Sequence, residues 1–296
     1  MSPVVHAVAG DPVGASSSPL LMLITVGRLE EAGVKGLSLE TTRAFRIEAT
    51  DAQAAVEAFA SRAATGEPGP MHRHARARLQ EAPKPPVADP PRLIGAPGRW
   101  LSLTSPLKHQ IGSWRCTDGA QRLHAVNALR IDDHGVRSAG TDGAGVVAVA
   151  RLAGCSPDGG AVLRMRGGGG AARSTAHAWV KAGGRLHLIE GRRTLVPRPI
   201  QAMLVGAEVP AVLGIDFDGD SHDLGAEKHL VPGYQGEVVR HEGALSGNVL
   251  DGRLMLVAQH LEAWRALWAP ELSDVLPSIP DLMADLLAVE AMMSGP

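Results

Sequence analysis

Aromatic residues are scarce in this chain, with Trp 5, Phe 3 and Tyr 1 among 296 residues. A core with so little Phe and Tyr must be filled by Val, Leu, Ala and Met, which bury less area per residue and leave it thinner. Cysteine is nearly absent. Cys116 and Cys155 lack the spacing of a zinc site, and two isolated thiols fit a reducing compartment better than a disulfide framework. No Lys or Arg precedes the first apolar run, so the N-terminus makes a poor secretory signal. There is no run of roughly 18 apolar residues to span a membrane. A cytoplasmic protein without membrane insertion is expected. The formal net charge of −2 argues against a chain-wide surface for nucleic acid or anionic lipid.

Glycine (35) and proline (21) are plentiful, and they punctuate the chain into short segments. Residues 1–19 read as a loose tail, 20–26 (LLMLITV) as a buried strand and 45–49 as an alternating strand. Asp51 is placed to cap a helix over 52–64. Residues 71–81 are basic and helix-permissive. A small α+β unit is therefore expected over 1–80. Six prolines in 81–98 forbid a packed helix or central strand there, so that segment reads as a linker between domains.

Beyond residue 99 the pattern reads as β-rich. Strands are expected at 123–131, 135–140, 145–152, 176–181, 185–190, 194–196, 202–205, 211–215 and 254–257. Thr141-Asp142-Gly143 reads as a tight turn between two of them, and the 166–170 run (RGGGG) as a flexible break. The fold class expected is α+β, with short antiparallel strands forming small barrels or a sandwich over 99–268. Helices are expected at 259–268 and 281–293, the latter in a C-terminal helical tail over 269–296.

Chemistry-bearing residues concentrate in Asp216-Phe-Asp218-Gly-Asp220-Ser-His222-Asp223, followed by Glu227. Asp216, Asp218, Asp220 and Glu227 stand at the positions of an oxygen-ligand loop for a hard cation. The loop has Ser221 where such loops need glycine, and the residues before it read as a strand, so a solvated acidic hairpin is the plainer alternative. His72, His74, His222, His229 and His241 are candidate zinc ligands, although two histidines one residue apart on a helix face different ways. Arg73, Arg76 and Arg78 form a basic cluster with no aromatic platform beside it. The glycine run carries no GxxxxGK[ST], no G-x-S-x-G occurs, and neither cysteine lies in a nucleophile motif, so no cofactor is expected.

VGAEVPAVLGID, HDLGAEKHLVPGYQG and GALSGNVLDGRLMLVAQHLEAW resemble the closing half of a chemotaxis coupling (CheW-like) domain. That resemblance implies a pair of small five-stranded barrels and a non-catalytic scaffold or adaptor that docks a receptor or histidine kinase. Leu250, Leu254 and Leu256 would lie on the docking face or in the barrel core. LHAVNALRIDDHGVRSAGTDGAGVVAVARL resembles instead a strand and hairpin of a bacterial sliding DNA clamp, which implies DNA contacts through Arg192, Arg193 and Arg198. The third reading is a metal-dependent hydrolase using the 216–223 loop.

Overall fold

A computed structural model describes residues 3–62, 68–94, 98–112, 115–195, 200–219, 223–233 and 247–295. In chain order its helices and strands are β1 (Val5–Gly10), α1 (Ser18–Glu31), β2 (Arg43–Glu48), α2 (Ala52–Ser61), α3 (Pro70–Glu81), β3 (Arg99–Leu103), β4 (Arg115–Cys116), β5 (Ala128–Asp132), β6 (Gly135–Ala139), α4 (Asp142–Leu152), β7 (Val162–Arg166), α5 (Gly170–Lys181), β8 (Arg185–Ile189), β9 (Ala211–Asp216), β10 (Ala226–Val231), β11 (Val249–Asp251), α6 (Gly252–Ala263) and α7 (Ile279–Ser294). They fall into two compact units. Unit 1 is Met1–Arg122, Val126–Ala139 and His260–Pro296; unit 2 is Leu123–Ala125 and Gly140–Gln259. The proline-rich segment lies inside unit 1, where Val87 N–H donates to Ala32 O and Leu93 N–H to Lys35 O.

Unit 1 holds a mixed sheet in the order β2-β1-β3-β5-β6-β4. β1 runs parallel to both β2 and β3, while β3–β5 and β5–β6 are antiparallel. Both faces are covered. Ala7, Ala9, Leu101 and Leu103 pack with Ala55, Val56 and Phe59 of α2 on one side. On the other, Trp100 meets Met22 and Val26 of α1 and the indoles of Trp264 and Trp268. Trp100 stacks on Trp268 with ring centroids 5.6 Å apart and meets Trp264 edge-on at 4.8 Å. Three of the five tryptophans thus fill the volume that the shortage of Phe and Tyr leaves.

Unit 2 holds a wholly parallel sheet in the order β11-β10-β9-β7-β8. Its first strand lies inside. The chain steps from β7 to β8 on one side, then to β9, β10 and β11 on the other. That is a doubly wound α/β sheet, with its switch point between β7 and β9.

The barrel or sandwich expectation is therefore corrected: the sheets are mostly parallel and helix-covered. The misassigned segments share one cause. Residues 20–26 belong to α1, in which every residue from Ser18 to Leu29 is buried. A helix buried all round shows no 3.6-residue stripe and reads like a buried strand. α6, read above as a strand at 254–257, is likewise buried from Gly252 to Ala258, and α4, read as a strand at 145–152, has no polar residue between Asp142 and Arg151 to mark an outer face. The Thr141-Asp142-Gly143 turn is the start of α4, and its glycine serves helix packing. A Cβ on Gly143 would press into the carbonyl of Ser174 in α5, its carbon 2.5 Å away. Residues 176–181 lie in α5. The β2, β6, β8 and β9 segments and the Asp51 cap, whose Oδ1 accepts Ala54 N–H at 2.8 Å, fall where the sequence puts them.

Candidate functional site

In unit 2 the switch point is built from the carboxyl ends of β7, β8 and β9. β7 ends at Arg166 and passes through Gly167, Gly168 and Gly169 straight into α5. Each glycine has its own reason. Gly167 sits at φ +102°, in the left-handed region. A Cβ on Gly168 would stand 2.5 Å from Arg193 O, so the β8 loop packs directly on it. A Cβ on Gly169 would meet no atom within 4 Å. The backbone there is open to a ligand, and the N–H groups of the α5 first turn lack intrahelical partners, which makes an anion seat.

Arginines surround the loop. Arg173 of α5 spends its guanidinium on the carbonyls of Leu123, Gly168 and His124, at 2.6, 2.7 and 2.7 Å. Burial, and then repulsion from Arg193, lower its pKa from the ordinary arginine value. Arg192 and Arg193 are exposed, as is Glu190 at the end of β8.

The acidic loop lies at this same edge. Asp216 ends β9, accepts the Asp218 and Gly219 N–H groups, and stands 3.7 Å from Arg166. Asp218 accepts Arg192 N–H at 2.6 Å. Glu227 is exposed on β10, and Asp220 and His222 lie outside the described residues. Among the described residues no group of three or more His, Cys, Asp or Glu could hold a metal ion. His72 bonds Leu39 O at 2.6 Å and His229 lies 3.4 Å from Asp223, while His241 is outside the described residues. Arg73, Arg76 and Arg78 bond Pro68 O, Glu40 and Asp285. Leu250 and Leu254 are fully buried and Leu256 nearly so. Asp142 opens α4 as a carboxylate wholly withdrawn from solvent, beside Thr141, whose hydroxyl donates to Gln259 O.

In unit 1 polar residues gather at the carboxyl ends of β1 and β3. Asp11 N–H donates to Ser105 O at 2.8 Å and Thr104 N–H to Ala9 O at 2.9 Å, clasping the two loops. Ser16 and Ser18 are buried at the start of α1, with their hydroxyls 3.3 Å apart. Half-buried Lys108 follows β3, and its carbonyl accepts Val126 N–H. Buried Asn127 gives its carbonyl to Leu103 N–H at 2.8 Å. Ser102, also on β3, hydrogen-bonds His6 Nε2 at 3.1 Å.

One sign of the unit 2 site does stand in the sequence. Gly167, Gly169 and Ala172 make a G-x-G-x-x-A run opening a helix after a strand, with an acidic residue, Glu190, about 20 residues further on. The glycines read as a flexible break when the segment behind them is taken for a strand. No comparable spacing marks Ser16, Ser18, Lys108 or Asn127.

No protein-family model matches the chain, and no curated protein does. Solved structures do. The Ael1 enzyme from Pseudomonas putida is similar at TM-score 0.62 and 20% identity, over 96% of this chain and 98% of that one. Shikimate 5-dehydrogenase from Thermus thermophilus, solved with shikimate, is similar at TM-score 0.58 and 21% identity, over 97% of this chain and 100% of that one. A shikimate dehydrogenase solved with NADP+ is similar at TM-score 0.61 and 15% identity, over 96% and 95%. The chain shares their two-unit α/β fold.

These likenesses, with the parallel sheets, overturn the chemotaxis coupling and sliding-clamp resemblances, which both need small antiparallel elements. The non-catalytic scaffold and the receptor, kinase or DNA partners fall with the resemblances that implied them, nothing found supports the loop-based hydrolase, and the solved structures named above are described as enzymes. Among the described residues no helix is long and apolar enough to cross a membrane.

Proposed function

We propose that the chain is an oxidoreductase that moves a hydride between NADP(H) and a secondary hydroxyl of a small hydroxylated carboxylic acid of the shikimate type. The observation that carries this reading is the β7–glycine–α5 turn at the switch point of a parallel sheet, open at Gly169 and flanked by arginines. The residues fit a dinucleotide. The open backbone at Gly169 and the α5 N-terminus suit the pyrophosphate. Exposed Arg192 and Arg193 suit a 2′-phosphate, where a carboxylate alone would favour the bare ribose hydroxyl. The bound dinucleotide would supply hydride acceptance and donation.

The remaining chemistry falls to side chains. Oxidising an alcohol releases the hydroxyl proton, and a positioned base that takes it contributes about 10²–10⁴ in rate. Lys108 is the candidate in unit 1. It is half-buried at the carboxyl end of a parallel strand, near Asn127, whose amide can hold a substrate hydroxyl. The Ser16 and Ser18 hydroxyls at the α1 N-terminus suit the substrate carboxylate. The test is turnover of shikimate with NADP+, followed by the absorbance of reduced nicotinamide. Lys108→Ala is expected to lower kcat by about 10²–10⁴ and to leave NADP+ affinity unchanged. Full activity in that variant would remove Lys108 from the chemistry. No turnover of any shikimate-like hydroxy acid by the unaltered chain would contradict the substrate class.

A further inference from the structure

The Asp216–Asp218 loop is a part of the switch point that anion binding does not call for. Carboxylates beside a seat for phosphates repel the ligand unless they are engaged in something else. Asp218 is engaged. Its Oδ2 accepts Arg192 N–H at 2.6 Å, and its main-chain carbonyl accepts from the Arg192 guanidinium. Its side chain is only 10% exposed. The carboxylate also lies so close to Gly191 that a Cβ there would run into it and stand 2.8 Å from Gly167 N. A Cβ on Gly167 would stand 3.1 Å from Asp218 Oδ1. One side chain from the end of β9 therefore touches both the glycine loop after β7 and the arginine loop after β8. Asp216 braces it from below by accepting the Asp218 and Gly219 N–H groups at 2.8 and 3.1 Å.

We propose that Asp218 is a positioning residue for cofactor choice: it fastens the Gly191–Arg193 segment so that Arg192 and Arg193 stand where a 2′-phosphate would lie. The inference rests on the dinucleotide reading above and adds the means of selection. Arg192 is anchored at its own backbone, so its guanidinium pivots from a fixed point. Arg193, whose carbonyl packs on Gly168, follows it. Without Asp218 the segment keeps its arginines and loses its anchor, so the 2′-phosphate contacts become costly to order. Contacts to the pyrophosphate, made by Gly169 and α5, are left alone.

The experiment is calorimetric titration of the full chain with NADP+ and with NAD+, in the unaltered protein, Asp218→Ala and Asp218→Asn. The unaltered chain is expected to bind NADP+ at least about tenfold more tightly than NAD+. Asp218→Ala is expected to erase about tenfold of that ratio through NADP+ alone, in line with one charge-assisted hydrogen bond. Asp218→Asn, which retains an acceptor for Arg192 N–H, should recover most of the ratio. If Asp218→Ala does not fold, Asp218→Ser, too short to reach that N–H, is read in its place. An unchanged ratio, or equal loss of both dinucleotides, overturns the positioning role while leaving dinucleotide binding standing. Failure of the unaltered chain to bind either dinucleotide overturns both readings.

Discussion

His260 is 4% exposed, and its Nε2 accepts the Trp264 indole N–H at 3.1 Å. An indole nitrogen only donates, so this ring must be neutral with its proton on Nδ1. Burial lowers its pKa from 6.5 to about 3. His6, fully buried, is lowered as well, by burial first and by His260 second. The sign follows from linkage. Between these values the unfolded chain binds protons that the fold refuses, so stability is complete above about pH 6.5 and falls as the pH falls towards about 3. The expected slope is about 1.4 kcal/mol per pH unit from His260 alone. Urea denaturation across that range checks it, and His260→Leu should flatten the slope; a pH-independent midpoint would refute it. A second residue-scale expectation concerns Asp285, 2% exposed, which receives Arg28 at 2.7 and 2.8 Å and Arg78 at 2.9 Å. Asp285→Ala strands buried guanidinium charge and should cost about 3–5 kcal/mol in the same assay. The tryptophan cluster around these histidines was not legible in composition. A count of five says nothing of three converging from positions 100, 264 and 268.

α4 and α5 pack through Gly143, where ordinary helix propensity gives the wrong sign for a substitution. Alanine gains about 1 kcal/mol over glycine inside an exposed helix. Here its Cβ would meet the Ser174 carbonyl, backbone that cannot swing aside. Overpacking of this kind costs about 1–3 kcal/mol. Gly143→Ala is expected to lower the melting temperature, and a rise would show that the helices separate easily. The same crossing explains what the sequence concealed at this scale. Strands that alternate apolar and polar residues, such as β2 with Phe45 and Ile47 against the core, and capped helices, such as α2, were legible because period and punctuation agree. α1 and α6 are buried nearly all round, and α4 has no polar residue between Asp142 and Arg151, so none shows a clear period. Glycines 143 and 145 look like turn residues yet serve close approach. The parallel β7–α5–β8 unit was hidden for one reason: once 176–181 read as a strand, the glycines before it had no helix to open.

On the scale of the whole molecule, length alone indicates room for two units, but not where they divide. The chain leaves unit 1 near residue 122, returns for Val126–Ala139, and comes back finally at His260 inside α6. No local signal announces a return of that kind, because the strands it joins are distant in sequence. Over 81–94 the proline-rich segment is laid on unit 1, with Val87 N–H bonded to Ala32 O and Leu93 N–H to Lys35 O. The unit 2 site was legible in principle, through Gly167, Gly169, Ala172 and Glu190. The unit 1 residues Ser16, Ser18, Lys108 and Asn127 carry no such spacing, because they are gathered within that unit from segments distant in sequence. Binding of a ligand to the folded chain only must stabilise the molecule, by about 2.7 kcal/mol at a hundredfold excess over Kd. Titration of NADP+ against the unaltered chain and Gly169→Val is the most direct measurement. The substitution meets no protein atom at Cβ, so the fold should be kept, with a loss of about 1 kcal/mol at the α5 N-cap. Saturable NADP+ binding that raises the melting temperature of the unaltered chain, and is lost with valine at position 169, is the expected result; no binding by the unaltered chain, or equal binding by both, would contradict a dinucleotide seat at the glycine turn.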